Sequence, residues 1–221
     1  MTNTNWYEQI YVVDDLIDAE LIKKLAQIII SPGWRFGTIG NSEYNELSYN
    51  VDKKYEEKIY GVKHLDQHWG LSFNADELYS WENNDFGLYD LWKIIRKYLV
   101  DNFENMKLDP INCYATGITN GTFGLPHVGS LDHNTYTILY NVNPLWKIEW
   151  DGQTVFYKGS KSTNTVVDNC DSDIIKSVYP KPGRIVSFPS MIPHTNIQPN
   201  KFFPGLRTTI IFDCLNAKIT E

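Results

Sequence analysis

Two histidines, an arginine and a glycine carry the chemistry this sequence can do. His127 and His194 stand 67 residues apart, and Arg207 follows His194 by 13. Imidazole nitrogens suit Fe(II), and two of them leave open positions for a bidentate cosubstrate and for O2. Arg207 offers a planar fork that pairs bidentately with a carboxylate, and Thr209, two residues on, adds a hydroxyl donor. The set describes an iron site that takes a keto-acid, chelated at the metal by one end and clamped by arginine at the other. The common form of such a site has a third protein ligand, Asp or Glu. Two positions after His127 that ligand would stand where this chain has Gly129. Without the carboxylate the site is one charge more positive and has one more open position, which a chloride or bromide from solvent would fill.

Asp132 and His133 are the nearby alternatives, in the turn-like stretch from Ser130 to Asn134. Five residues is a long reach for ligands that must converge from adjacent strand positions, so solvation is the default for Asp132 and His133 alike.

The elements that must position these residues change character along the chain. Gln9 to Val13 alternates as a short strand. Asp18 then reads as the N-cap of a helix over Ala19 to Ile30, stopped by Pro32-Gly33. Leu88, Leu91, Trp92, Ile95, Tyr98 and Leu99 mark a second helix between Asp85 and Phe103. From there the period shortens. Asn112 to Thr119, Tyr136 to Val142, Thr154 to Tyr157, Arg184 to Phe188 and Leu206 to Cys214 read as strands rich in β-branched and aromatic residues. Turn signals at Thr119-Asn120-Gly121, Asn143-Pro144, Asp151-Gly152 and Lys181-Pro182-Gly183 separate them. Short strands at this spacing predict an α+β, mostly β chain with a jelly-roll or cupin-like double sheet and supporting N-terminal helices. Residues 1–105 form the helical support and 106–215 the core of a single domain over 1–221. The aromatic, Asn-rich stretch from Trp34 to Glu82 is placed as a pocket lid or a sheet cover. His64 and His68, four apart within it, read as surface or substrate-contact residues rather than a second metal site.

Composition narrows the partners. Of 221 residues 42% are apolar, with ten Phe, fourteen Tyr and seven Trp, enough to fill a sizeable core. The net charge of -7 argues against binding a nucleic-acid polymer, which needs a basic surface. Cys113, Cys170 and Cys214 form neither a CxxC nor a disulfide framework, and read as free thiols in a reducing, cytoplasmic setting. The N-terminal residues MTNTNWYEQI lack the basic and apolar regions of a signal peptide, and no apolar run is long enough to span a membrane.

The run from Cys113 to Phe212 resembles the prolyl-4-hydroxylase-like branch of the Fe(II)/2-oxoglutarate-dependent oxygenases. The resembling pieces are CYATG (Cys113 to Gly117), PHVGS (Pro126 to Ser130), YTILYNVNPLW (Tyr136 to Trp146), WDGQTVFY (Trp150 to Tyr157), PKPGRIVSFPSMIPH (Pro180 to His194) and PGLRTTIIF (Pro204 to Phe212). The resemblance implies a double-stranded β-helix core, iron on His127 and His194, and 2-oxoglutarate held by Arg207 with Thr209 and Tyr114 lining its pocket. Two departures stand out. The family's His-x-Asp is His127-Val128-Gly129 here, and its frequent Gly-Gly-Glu is Asp151-Gly152-Gln153. The first is the variant of the iron/2-oxoglutarate halogenases, whose iron takes a halide in the vacated position. That resemblance implies Fe(II), 2-oxoglutarate, O2 and chloride (or bromide) as cofactors. It also implies chlorination of an unactivated carbon. The substrate is not inherited with the resemblance; an amino acid, a nucleotide and a small natural product are the candidates. A hydroxylase with a nonstandard third ligand, and a binding protein of the same fold without catalysis, stay open beside it.

Overall fold

The computed structural model describes residues 9–36, 68–73, 86–103, 106–122, 124, 126–159 and 170–216. Its strands are β1 (Tyr11–Val13), β2 (Arg35–Phe36), β3 (Trp69–Phe73), β4 (Leu108–Ile118), β5 (Thr135–Asn141), β6 (Thr154–Gly159), β7 (Cys170–Val178), β8 (Ile185–Pro189), β9 (His194–Asn196) and β10 (Arg207–Asn216). The helices are α1 (Ala19–Leu25), continued by a 3-10 turn over Ala26–Ile30, and α2 (Leu88–Asn102).

The strands form two antiparallel sheets. The major sheet runs β1-β8-β5-β10-β4-β3-β2 and the minor sheet β7-β6-β9. Period-2 alternation sorts the major sheet's side chains onto two faces. Cys113, Ala115, Ile138, Tyr140, Ile210, Phe212 and Cys214 point to the outer face and pack with the helices. Helix α2 lays Leu88, Leu91, Trp92, Ile95 and Leu99 against that face, with the Trp92 ring centroid 5.3 Å from that of Phe212. Burying each such side chain contributes about 2 kcal/mol. On α1 the expected cap is present, the Asp18 carboxylate accepting from the Leu21 N–H at 2.8 Å. The 3-10 turn ends that helix earlier than the periodicity predicts, while Leu25 and Ile28 stay buried.

The inner face closes on the minor sheet. Leu139, Val186, Phe188 and Ile211 of the major sheet meet Phe156 and Val178 of the minor one in a second apolar cluster. Three transverse rows cross the inner face. The first contains Thr116, Thr209 and Asn141; the second Tyr114, Ile211, Leu139 and Val186; the third Asn112, Asp213, Thr137 and Phe188. Strand β1 is fixed beside β8 by a pair between Arg184 and Asp14, with two 2.8 Å hydrogen bonds that hold the Asp14 carboxyl below its usual range.

Strands β2, β3, β7 and β9 are additions to the sequence-based expectation, and the others start or stop within a few residues of it. Most of the expected lid, including His64, lies outside the described residues. Cys113 and Cys214 are buried and free, as expected. Among the described residues no helix is long and apolar enough to cross a membrane.

Candidate active site

The two histidines meet at the edge of the minor sheet. His194 opens β9, and His127 forms an isolated antiparallel bridge with it. Each donates its backbone N–H to the other's carbonyl, at 3.0 and 2.9 Å. In such a mutually bonded pair both side chains leave on the same face, and the ring centroids lie 4.5 Å apart. His194 is buried between Phe188 (4.7 Å between centroids) and Phe156 (6.1 Å). Its Nδ1 lies 2.9 Å from the Ile192 carbonyl, which can only accept, so Nδ1 carries the proton and Nε2 keeps a free lone pair. Burial, with His127 close by, pulls the His194 pKa down to about 3, so the ring is neutral, as a metal ligand must be.

Arg207 opens β10 and is 1% exposed. It spans the gap between the sheets. Its Nε donates to the Gly152 carbonyl (2.6 Å), Nη1 to Thr209 (3.0 Å), and Nη2 to Thr154 (3.1 Å) and Asn196 (3.2 Å). All four acceptors are neutral. Burial lowers the pKa only to about 10, so the group stays charged at neutral pH. A buried cation held only by neutral acceptors is short of one anion. The Thr116 hydroxyl, in the same row as Thr209, is buried without a hydrogen-bond partner. These groups suit a carboxylate. Asn196, which touches the guanidinium, lies two residues after His194 on β9, about 6.6 Å along the strand. A short dicarboxylate keto-acid spans that interval.

Gly152 sets this geometry. Its φ of +82° favours glycine, and a Cβ there would meet Trp146 at 2.7 Å. Trp146 in turn donates to the Asp151 carbonyl at 3.0 Å and packs edge-on to Trp150 and tilted against Phe203. The Asp151-Gly152-Gln153 departure thus supplies a backbone carbonyl to arginine.

Gly129 sits against the third row. Its N–H donates to the Ser190 carbonyl at 2.8 Å. A Cβ on residue 129 would come within 2.9 Å of the Thr137 hydroxyl and 3.4 Å of the Ser190 Cβ. Thr137 and Ser190 are buried and share a 2.9 Å hydroxyl–hydroxyl bond. A side chain here would make Thr137 shift from its bond to Ser190. Asp132 is exposed, its carboxylate accepting from the Asn134 backbone (2.9 Å) and side-chain amide (3.1 Å). His133 is exposed too. Among the described residues no group of three or more His, Cys, Asp or Glu side chains is placed to hold a metal.

Of the residues expected from sequence, His127 and His194 come together, and Arg207 and Thr209 are hydrogen-bonded to each other. Tyr114 lines the inner face beside Ile211, and burial raises its phenol well above the usual value, keeping it neutral. Thr116, Thr137, Gly152, Thr154, Ser190 and Asn196 were not expected. For Thr116 the signal was present, since it lies two residues beyond Tyr114 on the same strand face.

No protein-family model matches the chain, and no curated protein does. Solved structures do. A prolyl hydroxylase from Trichoplax adhaerens, in complex with a hypoxia inducible factor oxygen degradation domain peptide fragment, aligns with a TM-score of 0.59 at 14% identity, over 94% of this chain and 84% of that one. HygX from Streptomyces hygroscopicus, with nickel and 2-oxoglutarate bound, gives 0.61 at 10%, over 95% and 83%. A viral collagen prolyl hydroxylase from Paramecium Bursaria Chlorella virus-1, in its 2-oxoglutarate complex, gives 0.56 at 10%, over 95% and 97%. The chain thus has the mostly β, jelly-roll fold of solved 2-oxoglutarate oxygenases, with its N-terminal helices packed on the outer face of the major sheet.

Proposed function

We propose that this protein is an Fe(II)/2-oxoglutarate-dependent oxidoreductase that modifies an unactivated carbon of a small-molecule substrate. The observation that carries this reading is Arg207, a buried guanidinium with only neutral partners, one β9 interval from the point where His194 and His127 meet. His127 and His194 would hold the iron. Arg207, Thr209 and Thr116 would take the distal carboxylate of 2-oxoglutarate, with Tyr114 lining the same inner face. When bound, iron with 2-oxoglutarate and O2 supplies an oxidant strong enough to attack a carbon–hydrogen bond.

The chain's own groups do the positioning. The Ile192 carbonyl fixes the His194 tautomer. Phe156 and Phe188 keep the histidine's surroundings apolar. The four neutral acceptors hold the arginine fork in one orientation before the carboxylate arrives.

For the outcome, the absence of a carboxylate beside the two histidines among the described residues favours a halide as the third anion, and so chlorination. Hydroxylation is the second reading, favoured by the prolyl hydroxylases among the structural neighbours. Anaerobic protein with Fe(II) and 2-oxoglutarate, with and without chloride, separates the two. The expected result is a visible metal-to-ligand absorption band that needs 2-oxoglutarate and shifts on adding chloride. A band indifferent to chloride, with hydroxylated product, favours the second reading. No band at all refutes both.

A further inference from the structure

The third inner-face row holds a carboxylate that the assignments above leave unused. Asp213 stands directly across from Thr137 on β5 and from Asn112 on β4. Facing residues in such a pair have their Cβ atoms about 5 Å apart. Thr137 abuts Gly129, and Phe188, next along the row, packs on the His194 ring. Asp213 therefore lies level with the proposed metal position and one row away from Tyr114 in the direction opposite to Arg207. It is on the side left for substrate once the keto-acid extends toward Arg207.

Its surroundings suit a missing cation. Among the described residues its one side-chain partner is the Asn112 amide at 3.3 Å, and no lysine or arginine forms an ion pair with it. Burial pushes its carboxyl up to about 6. At neutral pH it is thus mostly an anion with one long, neutral hydrogen bond, half-buried on the inner sheet face. Asn112, at the end of the row, is exposed. A half-buried carboxylate without a cationic partner is more economically explained by a ligand than by folding.

We propose that Asp213, assisted by Asn112, anchors a cationic group of the substrate, an ammonium or guanidinium, so that a neighbouring carbon is presented to the metal. The proposal rests on the iron/2-oxoglutarate reading for its orientation. It narrows the substrate class to small molecules with a basic nitrogen.

The test uses the full chain loaded with Zn(II) and 2-oxoglutarate, so that no turnover occurs. The probes are n-pentylammonium and its neutral analogue 1-pentanol, followed by ligand-observed NMR in the parent and in Asp213→Asn. The parent is expected to bind pentylammonium at least tenfold more tightly than pentanol, and Asp213→Asn to lose that preference. Equal binding of the two probes by the parent, or no binding of the ammonium, overturns the proposal without any variant. Retention of the preference in Asp213→Asn overturns it as well. Calorimetric titration of 2-oxoglutarate into the same samples reads the underlying assignment separately. If 2-oxoglutarate fails to bind while the ammonium preference depends on Asp213, the cation site stands and the oxygenase reading falls.

Discussion

His194→Ala is expected to weaken Fe(II) binding by 100-fold or more, beyond the roughly 10- to 100-fold typical of losing a group that only supports a ligand. On the proposed reading the site has two protein ligands instead of three, so either histidine would be half of the protein's hold on the metal. His127→Ala should behave alike. The variants should differ in stability. His194 is buried against Phe156 and Phe188 and bonds the Ile192 carbonyl, so its truncation leaves a cavity and an unpaired acceptor at a cost of about 2–4 kcal/mol. His127 is only partly buried and should cost less. Anaerobic calorimetric titration with Fe(II), alongside thermal melting, checks both. Tight binding by a folded His194→Ala protein would place the metal elsewhere.

Gly129→Asp is expected to fail as a simple restoration of the third ligand. The Thr137 hydroxyl lies 2.9 Å from where the new Cβ must go, and it is held by Ser190 at 2.9 Å. Accommodating the side chain means rotating Thr137 and breaking that bond in a packed interior, an overpacking cost of about 1–3 kcal/mol. The single variant should melt lower and bind Fe(II) no more tightly than the parent. Removing the obstruction in Gly129→Asp/Thr137→Ala should recover stability, raise Fe(II) affinity about tenfold as a carboxylate joins two imidazoles, and abolish any effect of chloride on the iron–keto-acid band. If the single variant gains affinity with no loss of melting temperature, Thr137 does not govern this position.

The contrast between these predictions marks what the sequence could disclose. Arg207 was readable as a strand-end residue because β10 leaves a period-2 trace, whereas His127 and His194 stood out by residue type and by the resembling motifs around them. The same trace placed β4, β5, β6, β8 and β10. Strand β9 was hidden because Pro193 and Pro199 flank it, and proline argues against a strand to anyone reading locally. Strand β7 reads CDSDIIKSV, too polar to suggest a sheet, yet it pairs along β6. The partners of Arg207 come from residues 152, 154, 196 and 209, and the neighbours of Gly129 from 137 and 190. Contacts between distant segments leave no local pattern. Glycine at 129 was therefore legible as a departure from the His-x-Asp motif, while its close approach to Thr137 was not.

The most direct measurement is anomalous X-ray scattering from crystals of the protein loaded anaerobically with Fe(II), 2-oxoglutarate and bromide. Iron bound by His127 and His194, with a bromide peak at bonding distance in the position nearest Gly129, is the predicted result. Iron held there by Asp132 or another protein oxygen, with bromide excluded, would contradict it.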